Sequence, residues 1–235
     1  MENKSIKLVI LLLILTIAAT VFQGFFYARE ITNIKNEFKE TYASEEQKIS
    51  QLENKIAELE VQAISPQKAE QIISKTATEV LNVLKDRNFE KLAGFAYPEK
   101  GVRFSPYGHV DVQNDLVFTS LKVKDLAKDS TVYKWGVYDG SGQPIELSFN
   151  DYYNRFIYDK DFANARVVSF NQIIGRGNII NNIFDVYPGC ITVEYHFPGF
   201  DPKYEGMDWR SLILIFEKKN DIWYLVGIIH NEWTI

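Results

Sequence analysis

The chain has 235 residues, 46% apolar, 24% charged and 14% aromatic, which suits one globular domain with an appendage and excludes a disordered or collagen-like polymer. Thirty-one acidic against 26 basic residues leave a formal charge of −5, and without a Lys/Arg-rich block the basic stripe that a nucleic-acid partner requires is missing. The single cysteine, Cys190, excludes an internal disulfide, a cysteine-rich zinc site and an N-terminal lipoprotein signal.

The first predicted element is apolar. Between Lys7 and Arg29 run 21 residues, Leu8 to Ala28, in which Gln23 is the only strongly polar one. As a helix they would extend about 32 Å, the thickness of a bilayer core. The reading is a transmembrane signal anchor in residues 1–28. A cleaved signal peptide is the alternative, set back because Phe26-Tyr27-Ala28 puts a bulky residue where cleavage needs a small one. Lys4 and Lys7 ahead of the segment place the N-terminus in the cytoplasm and the rest of the chain outside the cell membrane.

From Phe25 to Ser65 there is neither glycine nor proline over 41 residues, a length ordinary helices rarely reach. Residues 29–65 are therefore read as a coiled-coil stalk. Counted in heptads, the a positions are Lys35, Tyr42, Ile49, Ile56 and Ala63, and the d positions Ile31, Phe38, Glu45, Leu52 and Leu59. Ile at a with Leu at d favours two parallel strands, and Lys48 and Lys55 at g face Glu53 and Glu60 at e of a partner. The expected partner is a second copy, in a parallel homodimer through residues 31–63. The breaks at Lys35 and Glu45 leave a single amphipathic helix as the alternative.

Ser65-Pro66 suits the cap and first position of a new helix, and residues 66–235 have the size of one domain. Apolar residues from Ala69 to Leu84 recur at helical spacing, and a shorter helix follows through Phe89, Leu92 and Phe95. Thereafter strand patterns dominate. Val132 to Tyr138 and Pro144 to Leu147 flank the Asp139-Gly140-Ser141-Gly142 turn; Ser148 then caps a helix whose Phe149, Tyr152, Tyr153 and Phe156 share a face. Val167 to Ile174, Ile179 to Tyr187, Cys190 to Phe197, Arg210 to Glu217 and Ile222 to His230 are the remaining predicted strands, the last two joined as a hairpin. The class is α+β, with leading helices and a mainly antiparallel sheet.

The opening of the second helix at Asn88-Phe89-Glu90-Lys91-Leu92, the segment Tyr97 to Val102 and the strands that follow resemble the NTF2-like, cone-shaped α+β fold with its curved sheet. More specifically, Gly101 to Tyr107, Tyr138 to Gly142 and Gly206 to Leu212 are similar to uncharacterised extracytoplasmic proteins of Gram-positive bacteria. The resemblance implies fold and location. It brings no functional residues, since NTF2-like folds host both enzymes and binding modules.

Few residues carry chemistry. Gly175-Arg176-Gly177 lacks the third glycine of a dinucleotide loop and is read as a turn. Asp201, Glu205 and Asp208 crowd one loop without the spacing of a calcium-binding loop, so no metal and no cofactor is expected. The last three strands, paired with simple register, put His196 and His230 opposite Ser211, beside Asp208, Trp209 and Arg210. Their other face, with Ile191, Val193, Tyr195, Leu212, Leu214, Phe216, Trp223, Leu225 and Ile229, is the predicted core. A Ser/His pair is the minimum for an activated nucleophile, yet no orienting acid accompanies it. The six residues are therefore read as a ligand-binding rim for a cell-wall glycan or peptide. The expected function is a membrane-anchored extracytoplasmic binding or scaffolding module dimerised by its stalk. A cell-envelope hydrolase using Ser211 with His196 or His230, and a purely structural envelope protein, are the alternatives.

Overall fold

The structure is a computed structural model that describes residues 2–62 and 64–234; the side chains of 2–12, 14, 17–19, 54 and 56–62 lie outside the described set. The chain divides into two compact units, Met1–Lys55 and Ile56–Ile235.

Helix α1 runs over Glu2–Gln62, as the absence of glycine and proline after Phe25 allows. Among the described residues no helix is long and apolar enough to cross a membrane. The transmembrane segment read at 8–28 is corrected accordingly. Much of its apolar part, residues 8–12, 14 and 17–19, lies outside the described side chains, and from Thr20 onward the helix takes up Gln23, Arg29, Glu30 and Lys35. Further along, Ile31, Phe38, Tyr42, Ile49 (55%) and Leu52 (61%) stand exposed. Of the predicted seam, Ile56, Leu59 and Ala63 fall outside the described side chains.

In the second unit, Ser65 caps α2 (Pro66–Lys85) through its hydroxyl, which accepts the Lys68 N–H, and Pro66 occupies the first turn, where a missing N–H costs nothing. Ala69, Ile73, Ala77, Val80, Leu81 and Leu84 form its buried stripe. Asn88 caps the short α3 (Phe89–Phe95). Strands β1 (Val102–Ser105) and β2 (Leu116–Phe118) and helix α4 (Ser120–Asp125) follow. The hairpin β3 (Val132–Val137) and β4 (Pro144–Ser148) forms a small sheet of its own, and Ser148 caps α5 (Phe149–Phe156). Beyond it lie β5 (Val167–Phe170), α6 (Ile183–Val186), β6 (Ile191–Phe197), β7 (Arg210–Lys219) and β8 (Ile222–Glu232). Residues 179–187, expected as a strand, are a loop ending in α6; Asn182 there bonds both backbone groups of Val110, and Ile183 is wholly buried.

The main sheet has the order β2-β1-β8-β7-β6-β5, antiparallel except where β1 runs parallel to β8. Mixed helix and sheet content makes the fold α+β. One face of the sheet carries Val193, Tyr195, Leu212, Leu214, Phe216, Leu225 and Ile228 against α2, α3 and α5. The other carries Ile213, Ile215, Val226 and Ile229 under Tyr97, Val110, Ile183 and Cys190. With both faces covered, β6, β7 and β8 become near-continuous apolar runs rather than alternating ones.

The register bears directly on the site. Asn220 and Asp221, at φ 48° and 64°, make the tight turn between β7 and β8. Lys219 then pairs with Ile222 and Phe216 with Leu225, as simple counting requires. At that point β8 carries one extra residue, so Ile215 pairs with Gly227 rather than with Val226. This β-bulge moves every later residue of β8 to the opposite face. Ile228, not Ile229, enters the helix-covered core, and Leu212, not Ser211, faces His230.

Candidate functional site

Strand alternation and the bulge together divide the six predicted site residues. His196 pairs with Ser211 as expected, and both lie on the face opposite α2. Next to them is Glu194, a wholly buried acid in the middle of an apolar strand. Its carboxylate accepts the Ser211 hydroxyl at 2.5 Å and the backbone N–H groups of Ile174 (2.5 Å) and Gly175 (2.9 Å). His196 Nδ1 lies 2.8 Å from Ser211 Oγ. Because the serine proton is committed to the carboxylate, Nδ1 is the donor in that bond. Burial holds the imidazole below its ordinary pKa, against the pull of the Glu194 charge.

The chemical order is thus acid, serine, histidine. An activated serine needs the histidine between itself and the acid, so that the base takes the hydroxyl proton. Here the carboxylate takes that place, and all three groups are buried. The arrangement anchors the 171–182 loop to the sheet. Sequence reasoning missed Glu194, although an acid flanked by Val193 and Tyr195 in a strand was its signal.

Trp209 completes this cluster, its ring 5.7 Å from that of His196 and its surface 5% exposed. Gly175 lies over it so closely that a methyl group there would come 2.5 Å from the indole, 2.8 Å from Ser211 Oγ and 2.9 Å from Glu194. The glycine read as a turn residue is therefore a close-approach residue. Its carbonyl accepts from the Asn231 side chain.

On the opposite face Arg210 and His230 join a different network. Arg210 Nε is 3.0 Å from Glu232 and 3.3 Å from Asp159. Arg155 pairs with Glu232 as well. His230 Nε2 approaches Asp159 to 3.4 Å as an ion-pair-distance contact rather than a hydrogen bond, and its ring meets Phe156 edge-on. Burial pushes the Asp159 carboxyl up, but His230 and Arg210 outweigh it and hold it below its usual value. Two arginines, Arg155 and Arg210, thus face two carboxylates, Asp159 and Glu232.

Asp208 belongs to neither cluster. It accepts the N–H groups of Phe200 and Asp201 and closes the 198–209 loop on itself. The single rim expected from His196, Asp208, Trp209, Arg210, Ser211 and His230 is thus corrected: the bulge separates Ser211 from His230, and alternation separates Arg210 from Trp209. Among the described residues no group of acids, histidines and cysteine is arranged to hold a metal ion. Burial pushes the Cys190 thiol far up, which removes it as a nucleophile.

The loop over this cluster opens outward into a cleft of about 810 Å³. Ile173, Ile174, Ile179 and Phe184 line it, with Arg176, Gln172 and Asn181 as its polar groups. Ile174 (38%) and Phe184 (41%) are exposed there. Its volume is in the range of ligand sites, and its base is the segment that Glu194 and Trp209 hold in place. No family model, curated protein or solved structure matches the chain.

Proposed function

We propose that the protein is a binding or scaffolding module, paired with a second copy through α1, that takes a short apolar peptide bearing a free carboxylate. The observation that carries this reading is the cleft over Gly175: aliphatic and aromatic walls around one guanidinium. Such a lining suits apolar side chains with an anionic end, because Arg recognises a carboxylate with two parallel N–H donors. It suits a glycan less, since among the described residues Phe184 is the one aromatic ring that lines it. Pairing rests on the exposed Ile/Leu stripe of α1 and on the placement of Lys48 and Glu53 at flanking heptad positions. The envelope setting and the NTF2-like relationship rest on sequence resemblance alone.

Fluorescence titration of the full chain tests the cleft, using dansyl-labelled leucyl-alanyl-alanine as the free acid and as its C-terminal amide. The acid is expected to bind saturably and about tenfold more tightly than the amide, a difference that Arg176→Ala abolishes. Equal binding of acid and amide, or no saturation, would overturn the reading.

A further inference from the structure

One wall of the cleft, from Gln172 to Gly177, is a continuous piece of chain. Its ends are pinned from outside: the Ser169 hydroxyl donates to the Gln172 carbonyl at 2.8 Å, and the Asn178 amide donates to the Thr234 carbonyl at 3.0 Å. Between them Arg176 has no hydrogen bond, ion pair or ring contact among the described residues, so its guanidinium is placed by the backbone that carries it. We propose, resting on the reading of this cleft as a site for a peptide carboxylate, that Glu194 is its positioning residue. By holding the backbone immediately ahead of Arg176, it decides whether the cleft tells a carboxylate from a neutral group.

Glu194 is wholly buried on β6 and spends its two oxygens on consecutive amides. Oε2 accepts the Ile174 N–H at 2.5 Å, and Oε1 accepts the Gly175 N–H at 2.9 Å. Because each peptide unit is planar, two adjacent N–H groups held by one carboxylate fix the orientation of both units. From β8 the Asn231 amide donates to the Gly175 carbonyl at 3.2 Å. The indole of Trp209, just ahead of β7, closes on the same glycine and leaves no room for a methyl group. Residues 174 and 175 are thus held from the sheet side by β6, β8 and the start of β7, while the Ile174 side chain stays exposed in the cleft wall.

The charge of Glu194 matters because the groups that meet its oxygens are all donors, the Ser211 hydroxyl at 2.5 Å from Oε1 being the third. A glutamine there keeps one acceptor oxygen, and its NH₂ confronts an N–H of Ile174 or of Gly175 whichever way the amide turns. The peptide ahead of Arg176 then loses one of its two ties to β6. With both ties in place, Arg176 offers two parallel N–H donors without first ordering its loop, a cost that binding would otherwise bear. A ligand with an uncharged end gains little from the guanidinium and is indifferent to that loss. This asymmetry separates positioning from a general role in the fold, which acts on acid and amide alike.

The dansyl-labelled acid and amide, titrated against the full chain carrying Glu194→Gln, Arg176→Ala or both, test the proposal. Glu194→Gln should bind the acid about tenfold more weakly than wild type and the amide within about twofold of it. With Arg176→Ala already in place, adding Glu194→Gln should change neither affinity beyond about twofold, because the two residues act on one interaction. Should Glu194→Gln fail to fold, Gly175→Ala takes its place: its methyl group would meet Trp209 and Glu194 and lift the same peptide from the carboxylate, so it should lose the preference for the acid likewise. Equal weakening of acid and amide would make Glu194 a purely structural residue, and an undiminished preference for the acid would detach it from Arg176. Either result overturns the proposal while leaving the carboxylate reading of the cleft intact. A wild-type chain that does not tell acid from amide overturns that reading, and the proposal with it.

Discussion

Trp209 lies at the end of the 198–209 loop, where its neighbours Asp208 and Arg210 are polar, and in the sequence it looks like a stacking surface offered to a ligand. The structure turns it inward, between His196 and the backbone of Gly175 and Gly177. Its energetic role is therefore packing. Trp209→Ala should cost about 3–5 kcal/mol of stability, the usual result of emptying a large aromatic site. Urea unfolding followed by circular dichroism measures this, and a change below about 1 kcal/mol would mean that the ring is dispensable to the fold. The same inward turn explains why Glu194 escaped notice as a partner of Ser211. A buried acid is tolerable only when its acceptor sites are filled, and its principal donors come from residues 174, 175 and 211, which chain distance hides. The His196–Ser211 pairing was legible because β6 and β7 are unbroken by any bulge.

At the scale of elements, α2, α3 and α5 are legible because their signals are local, whereas α4 and α6 are not read as helices. Ser65-Pro66, Asn88 and Ser148 each act at the start of their own helix, within three residues of the N–H they satisfy. β1 and β2 were not read as paired strands, since β1 is four residues long and is completed by a parallel neighbour 124 positions further along, Arg103 with Gly227. Residues 179–187 misled in the opposite way: an apolar run there covers a sheet face instead of joining it, and periodicity does not separate the two cases. The bulge in β8 was invisible because Leu225, Val226 and Ile228 are apolar on both sides of it, and a strand buried on both faces has no alternation to mark a change of register. The bulge is testable. Deleting Val226 would remove the extra residue and leave every later pair as it is, with Gly227 still opposite Ile215, His230 opposite Leu212 and Glu232 opposite Arg210. The variant should keep a cooperative thermal melt, with stability lowered by about 1–3 kcal/mol through loss of the buried Val226 side chain; loss of cooperative unfolding would mean that the bulge itself is required for the fold.

At the scale of the molecule, the second unit has its core, its clefts and its charge networks within residues 64–234, whereas α1 leaves apolar side chains uncovered. An isolated helix gains little from Ile31, Phe38, Ile49 and Leu52 while they face water, although Lys35 and Glu45 interrupt the row that they form. A second copy would cover it with like residues at a and d. The charges at g and e would then set direction rather than strength, since exposed pairs contribute only about 0.2–1 kcal/mol each. Two consequences follow for the full chain. Its sedimentation coefficient should rise with concentration toward that of a dimer, and the double variant Ile49→Asp, Leu52→Asp should remain monomeric throughout, because the charges would have to be desolvated in the seam. The thermal midpoint of the sheet-containing unit should stay within about 3 °C of wild type in that variant, since no core residue of that unit is altered. If the unmodified chain sediments as a monomer at about 100 µM, a concentration at which even weak micromolar pairing would be populated, the stripe does not pair and the dimer is excluded.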